Sequence, residues 1–199
     1  MMKTIVAIMV LAMAFSLSSA IAKADLVSLV NPGFDDPSNY INGWSTWGAT
    51  LWDNWAAPHS GSGSLGASDT GGYSVGVSQD FTVSNPGLEY IYDSYVKTSS
   101  LTGGNASTAL EWYNGSTKIS DVQSSLISGT NDWTKVSISA LAPSGATTGR
   151  IVFKVAGGGS GQDAFFDDAS VNTVPEPASL LLLGSGLVGL LGINKRKNK

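Results

Sequence analysis

Between residues 73 and 83 apolar and polar side chains alternate. Tyr73, Val75, Val77, Phe81 and Val83 fall on one parity, with Ser74, Gly76, Ser78, Asp80 and Thr82 on the other. A period of two marks a strand with one face buried and the other wet. The pattern recurs downstream. Tyr90, Tyr92 and Val96 alternate with Glu89, Asp93 and Lys97. Leu110 shares a face with Trp112, and Val136 with Ile138. Ile151, Phe153 and Val155 alternate with Arg150 and Lys154, and the last strand carries Phe165, Ala169 and Val171. Turn signals separate these runs: Asn85-Pro86-Gly87, Gly103-Gly104-Asn105, Asn114-Gly115, Ser128-Gly129, Pro143-Ser144-Gly145 and Gly157-Gly158-Gly159. Asn114-Gly115 is the sharpest hairpin signal, since both residues accept positive φ. About eight such strands with no helical stretch predict an all-β domain, a β-sandwich, over 25–172.

Both ends break the pattern. Lys3, the apolar run Ile5–Leu17 and Ala22-Lys23-Ala24 give residues 1–24 the layout of a secretory signal peptide. At the other end, residues 173–177 form a linker holding Val174-Pro175-Glu176-Pro177. The apolar stretch 178–193 and a basic tail, 194–199, follow it. Sixteen residues as a helix reach roughly 24 Å, a little short of a ~30 Å hydrocarbon core, and flanking lysines can snorkel to close the gap. A single transmembrane helix is expected, with the basic tail cytoplasmic and the domain outside.

The chain has 199 residues and no cysteine, which excludes disulfides, zinc-thiolate centres and cysteine nucleophiles. His59 is the single histidine, so a poly-histidine metal site is excluded too. Across 25–174 five Lys/Arg stand against fourteen Asp/Glu, a balance of −9. An acidic domain of this kind is no nucleic-acid binder, because phosphates need a basic surface.

The C-terminal order, Val-Pro-Glu-Pro, a short glycine-containing apolar helix and a Lys/Arg terminus, resembles the PEP-CTERM sorting signal of Gram-negative bacteria. The resemblance implies recognition by an exosortase. It also implies initial anchoring in the inner membrane, delivery to the cell surface or extracellular matrix, and a producer of exopolysaccharide or biofilm. In the domain, Leu29-Val30-Asn31-Pro32-Gly33-Phe34-Asp35, Gly43-Trp44, His59–Leu65, Tyr95–Thr98, Asp132–Val136 and Phe165–Val171 follow one another in an order that resembles galactose-binding-like jelly rolls, most closely the carbohydrate-binding modules that accompany xylanases.

Many modules of that kind hold a structural calcium ion, and the resemblance puts Asp35, Asp167 and Asp168 at the matching positions, with carbonyls from the His59–Ser64 loop. Asp167 shares its parity with Phe165 and Val171, and an inward carboxylate needs a partner. Calcium would supply one. The alternative is turn and edge aspartates that are solvated or cap backbone amides. Trp47, Trp52 and Trp55 crowd a loop-like segment, 45–58, and three indoles in nine residues suggest a sugar-stacking platform. Trp112 and Tyr113 lie on opposite faces of one strand, so one of them faces out and joins the candidate ligand-binding set. Trp44 and Trp133 match structural positions of the resembled modules and are expected in the core. The alternative is that these aromatics pad a small sandwich. No nucleophile elbow, phosphate loop or metalloprotease motif appears, and the adjacent pairs Asp35/Asp36 and Asp167/Asp168 point apart on a strand, a poor arrangement for glycoside hydrolysis. The expected protein is therefore a non-catalytic binder of a neutral polysaccharide; the alternative is a matrix protein with no discrete ligand site, and a degenerate glycosidase is a distant third.

Overall fold

The computed structural model describes residues 25–48, 50–54 and 57–174. The predicted signal peptide, Trp55, Pro175-Glu176-Pro177, the apolar stretch 178–193 and the basic tail lie outside the described residues. Residues Asp25–Val174 form one compact unit. Among the described residues it has nine strands: β1 (Ser45–Trp47), β2 (Leu51–Asp53), β3 (Leu65–Ser68), β4 (Val75–Thr82), β5 (Glu89–Asn114), β6 (Thr117–Gln123), β7 (Ile127–Leu141), β8 (Thr148–Gly157) and β9 (Asp163–Val174). Among the described residues there is no helix.

The sheet is continuous but curls on itself at β5. Residues 89–99 of β5 pair with β7 on one side and β9 on the other, and β9 continues to β3 and β2. Residues 104–114 of β5 pair with β6 and β8, and β8 continues to β4 and β1. The break falls at Ser100, whose φ of 53° bends the strand out of one layer and into the other. Two packed layers result, here called the β9 layer and the β8 layer.

Alternation along the strands places the core between them. Tyr90, Tyr92 and Val96 face Leu110, Trp112, Ile151 and Phe153, all essentially inaccessible. Burying a side chain of this size stabilises by about 1.5–3 kcal/mol. Phe153 sits at the centre, 4.7 Å from Phe166 and 5.6 Å from Trp44, ring to ring.

Three local details differ from the sequence reading. The β5–β6 turn is Gly115-Ser116, flanked by the pair Asn114↔Thr117, and only Gly115 has positive φ (57°), as in a type II′ hairpin. The last strand changes phase at a bulge. Asp168 has φ 50° and the β5–β9 register slips between Asp93 and Tyr95, so Ala164 and Phe166 point inward ahead of the bulge and Ala169 and Val171 after it. Phe165 therefore faces outward. Finally, Thr173 and Val174 pair with Tyr90 and Glu89, so the predicted linker starts inside the last strand.

A candidate calcium centre and two outer faces

The turn 31–36 is wound tightly by its own side chains. Asn31 and Phe34 both have positive φ, 46° and 56°. Asn31 Nδ2 donates to the Tyr40 carbonyl and its Oδ1 accepts from Asp36 N–H, while Trp44 Nε1 donates to the Asn31 carbonyl. A bulky residue at positive φ is strained by about 1–3 kcal/mol. Phe34 is held there by full burial and by stacking on Trp44 at 4.9 Å. The turn rests on β9, where Ala169 N–H donates to the Pro32 carbonyl. It delivers Asp35 to the 57–64 loop, where Asp35 Oδ1 accepts from the N–H groups of Ser62 (2.5 Å) and Gly63 (2.9 Å).

Asp167 clamps the same loop from β9. It is 0% exposed; Oδ2 accepts from His59 N–H (2.8 Å) and Ser60 N–H (3.2 Å), and Oδ1 from Asp168 N–H (2.7 Å). Burial, reinforced by the charge of Asp168, pushes its carboxyl up to about 7 despite those three donors. Asp35 and Asp167 approach each other across Gly33: a Cβ there would lie 2.7 Å from Asp35 Oδ2 and 3.6 Å from Asp167 Oδ1. The space that glycine leaves is thus lined by oxygens of two carboxylates. Asp168 does not join them. Its oxygens take His59 Nδ1 (2.6 Å) and Ser60 Oγ (2.7 Å) on the outer side of β9. The expected carboxylate trio is thereby reduced to a pair, because adjacent residues of a strand face opposite sides. Among the described residues no three His, Cys, Asp or Glu side chains gather as metal ligands, so any ion here would take the rest of its oxygens from elsewhere.

The tryptophans part company. Trp47 in β1 pairs with Gly76 on the outer face of the β8 layer, its Nε1 donating to Ser74 Oγ. Trp52 in β2 pairs with Gly66 on the outer face of the β9 layer, edge-on to Phe165 at 6.1 Å. A Cβ on Gly66 would meet the Trp52 ring at 2.3 Å, and one on Gly76 would meet the Trp47 ring at 2.7 Å, so each indole covers a glycine. β1 and β2 belong to opposite layers, so Trp47 and Trp52 do not share the expected platform with each other; Trp55, its third member, lies outside the described residues. Trp112 is 1% exposed and belongs to the core, not to a ligand surface, because it shares the inward parity of Leu110.

Tyr113 does face outward, on the same side as Trp47. It stacks under the Arg150 guanidinium (4.7 Å to the ring centre) and donates its hydroxyl to Glu111 (2.6 Å). Burial and Glu111 raise its phenol pKa. Arg150 makes a two-pronged pair with Asp80, and Lys118 bridges Glu111 and Asp121. Beside this charged row the outward positions are small. Ser78, Val152 and Ala109 lie side by side across β4, β8 and β5, with Ser107 in the next row, and all are at least nine-tenths shielded. Ser107 is overlain by Gln123, whose Nε2 donates to its Oγ (2.8 Å), so these small residues form a low strip between longer neighbours on the outer face. From Trp47, level with Ser107, to Tyr113 is three strand spacings and six residues, roughly 24 Å along the diagonal.

The β9 layer carries an aromatic cluster that sequence reasoning missed. His59 stacks on Tyr95 (3.5 Å, 15°) and stands edge-on to Trp133 at 5.9 Å. Trp133, expected in the core, is half-buried on the outer face. Its parity with Lys135 and Ser137, opposite to Val136 and Ile138, was the signal.

Comparison with known proteins separates the sorting end from the domain. Residues 173–197 match the family model of the PEP-CTERM protein-sorting motif. The chain therefore carries an export signal that implies exosortase-dependent, membrane-anchored sorting through its C-terminal region. No curated protein matches the chain. Among solved structures it is similar to the family 16 carbohydrate-binding module-2 (18% identity, TM-score 0.56, 72% of this chain and 97% of that one). It is also similar to the CBM22-1-GH10 modules of the Clostridium thermocellum xylanase 10B, complexed with xylohexaose (19%, TM-score 0.54, 75% and 29%). A cyclase from Fischerella sp. TAU is a third (16%, TM-score 0.59, 78% and 100%). In the larger structures it resembles, this chain spans only 21% or 29% of the length. The fold is thus the jelly-roll-like β-sandwich of carbohydrate-binding modules, a scaffold that enzymes share.

Proposed function

We propose that this is an exported glycan-binding protein with no catalytic step of its own, sorted by an exosortase to the cell surface or the extracellular matrix, where it holds exopolysaccharide. The observation that carries the reading is the outer face of the β8 layer, where two outward aromatics flank a strip of small residues. That strip, Ser78, Val152, Ala109 and Ser107, would admit a chain lying across the strands. Trp47 and Tyr113 offer aromatic surfaces at its two ends, and Asp80, Glu111, Arg150 and Lys118 supply donors and acceptors along one side. Sugar rings present apolar C–H faces and a rim of hydroxyls, which this combination suits. The absence of catalysis is supported by how the adjacent acidic pairs are used. Asp167 is spent on three backbone N–H groups, and Asp36 on Ser38, Asn39 and Asn42.

One structural calcium ion at Asp35 and Asp167 belongs to the same reading. The fit rests on two carboxylates lining the space left by Gly33, one of them fully buried, and on a purely oxygen donor set. Bound there, the ion would tie the 31–36 turn and the 57–64 loop to β9 and keep Asp167 ionised; it would take no part in holding the sugar.

Sedimentation with insoluble neutral polysaccharides, cellulose, xylan and mannan, tests the function. The full chain in detergent co-sediments with at least one, and retention is unchanged from low to high salt because stacking is not screened. Retention by none, or retention that vanishes with salt, overturns the reading and leaves a matrix protein without a ligand groove.

A further inference from the structure

We infer that the outer face of the β9 layer holds a second glycan site, a pocket for one or two rings of a neutral sugar, so that a single chain can bridge two polysaccharide strands. The inference extends the glycan-binding reading and rests on it. The pocket exists because of the bulge. The additional residue on β9 at Asp167-Asp168 opens the outer surface beside Tyr95, and the 31–36 turn, pinned to Ala169 by Pro32, forms a wall. An open cavity of about 360 Å³ results, lined by Pro32, Asp93, Tyr95, Lys135, Asp168 and Ser170. That volume lies at the lower end of small-molecule sites.

Its polar groups are held in place before any ligand arrives. Asp93 takes Lys135 Nζ on Oδ2 (2.9 Å) and the Ser137 hydroxyl on Oδ1. Asp168 takes His59 and Ser60 on its two oxygens. Each carboxylate oxygen has a single partner here and can accept again, so the two aspartates lining the pocket keep acceptor capacity for four more hydrogen bonds, with one ammonium beside them. Acceptors in excess call for a ligand rich in O–H donors, and two carboxylates against one lysine disfavour an anionic one. The His59–Tyr95 stack, with Trp133 next to it, supplies an apolar flank. This face belongs to the opposite layer from the Trp47–Tyr113 groove, so neither site obstructs the other.

The test counts sites. The full chain in detergent is titrated calorimetrically with cellohexaose, xylohexaose and mannohexaose. It is compared with a groove variant, Trp47→Ala with Tyr113→Ala, and two pocket variants: Ser170→Tyr, which fills the cavity, and the exposed change Lys135→Ala. Melting curves confirm that each is folded. Two sites per chain are expected for a bound hexasaccharide, falling to one in the groove variant and to one in Ser170→Tyr, with Lys135→Ala weakening the same site several-fold. The intact chain should also thicken a solution of the corresponding polysaccharide, and either one-site variant should not. One site, lost in the groove variant and untouched by Ser170→Tyr and Lys135→Ala, overturns the second site and leaves the groove reading intact. One site lost only in the pocket variants overturns the groove reading instead, and no binding to any of the three overturns both.

Discussion

The outer face of the β8 layer and the junction of β9 with the 57–64 loop are both rich in carboxylates, and they use them in opposite ways. On the outer face Asp80, Glu111 and Asp121 pair with Arg150 and Lys118 at the surface, side chain to side chain. At the junction Asp35 and Asp167 accept from main-chain N–H groups of a loop otherwise made of small residues. Exposed ion pairs contribute little to stability, typically below 1 kcal/mol each, and can rearrange around a ligand. A buried acceptor that serves several backbone donors cannot be removed without stranding them. One region is a surface that can bind; the other is the frame that holds the fold's first turn and last strand together.

The largest effect is therefore expected at the frame. Asp167→Ala leaves the N–H groups of His59, Ser60 and Asp168 without their acceptor and should lower unfolding free energy by at least about 3 kcal/mol. Chemical denaturation measures it; a loss no greater than that of a surface substitution would erase the contrast.

Next comes the dependence on pH and calcium. The folded carboxyl of Asp167 titrates near 7, above its unfolded value of about 4, so the folded state binds more protons in between. In metal-free protein, stability should accordingly fall as pH rises from about 4 to about 7. Added calcium should restore it at pH 8 and change little at pH 5, with about 2.7 kcal/mol at a hundredfold excess over the dissociation constant. Melting curves with EDTA and with calcium, superimposable at pH 8, would remove the ion from the account.

A smaller pair of effects separates the two indoles. Trp52→Ala uncovers Gly66 and one edge of Phe165 and should cost about 1–2 kcal/mol of stability without touching retention in the groove. Trp47→Ala should weaken retention several-fold to tenfold, about 0.5–1.5 kcal/mol for a lost aromatic contact, in a folded protein. The smallest effect is expected at Lys97→Ala, whose pair with the highly exposed Asp132 spans 3.5 Å: its chemical denaturation curve should overlay that of the unmodified chain.

Parity carried much of the fold into view. The inward sets of β5 and β8 stand as the alternation placed them, and so does that of β4 except for Tyr73, which is exposed ahead of the strand; Asp167 is buried as its parity with Val171 required, although Phe165, the other residue of that set, faces outward. Parity fails where a strand gains a residue, and Phe165 was misplaced for that reason. Nearness in sequence fails where the chain changes layers: Trp47 and Trp52 are five positions apart yet belong to opposite faces. Trp133 was legible but misread, since the likeness to core positions of other modules was allowed to outweigh its shared parity with Lys135. The groove floor had no signature beforehand. Ser78, Ala109 and Ser107 look like ordinary small residues until the register across β4, β8 and β5 lines them up.

The groove is tested most directly by affinity electrophoresis in gels containing a neutral soluble polysaccharide, xylan or hydroxyethylcellulose, with three proteins side by side: the unmodified chain, Trp52→Ala, and Trp47→Ala with Tyr113→Ala. The unmodified chain and Trp52→Ala should be retarded alike, and the double variant clearly less in a folded state with nearly unchanged melting. Equal retardation of all three, or its loss in Trp52→Ala alone, would contradict the assignment of this face.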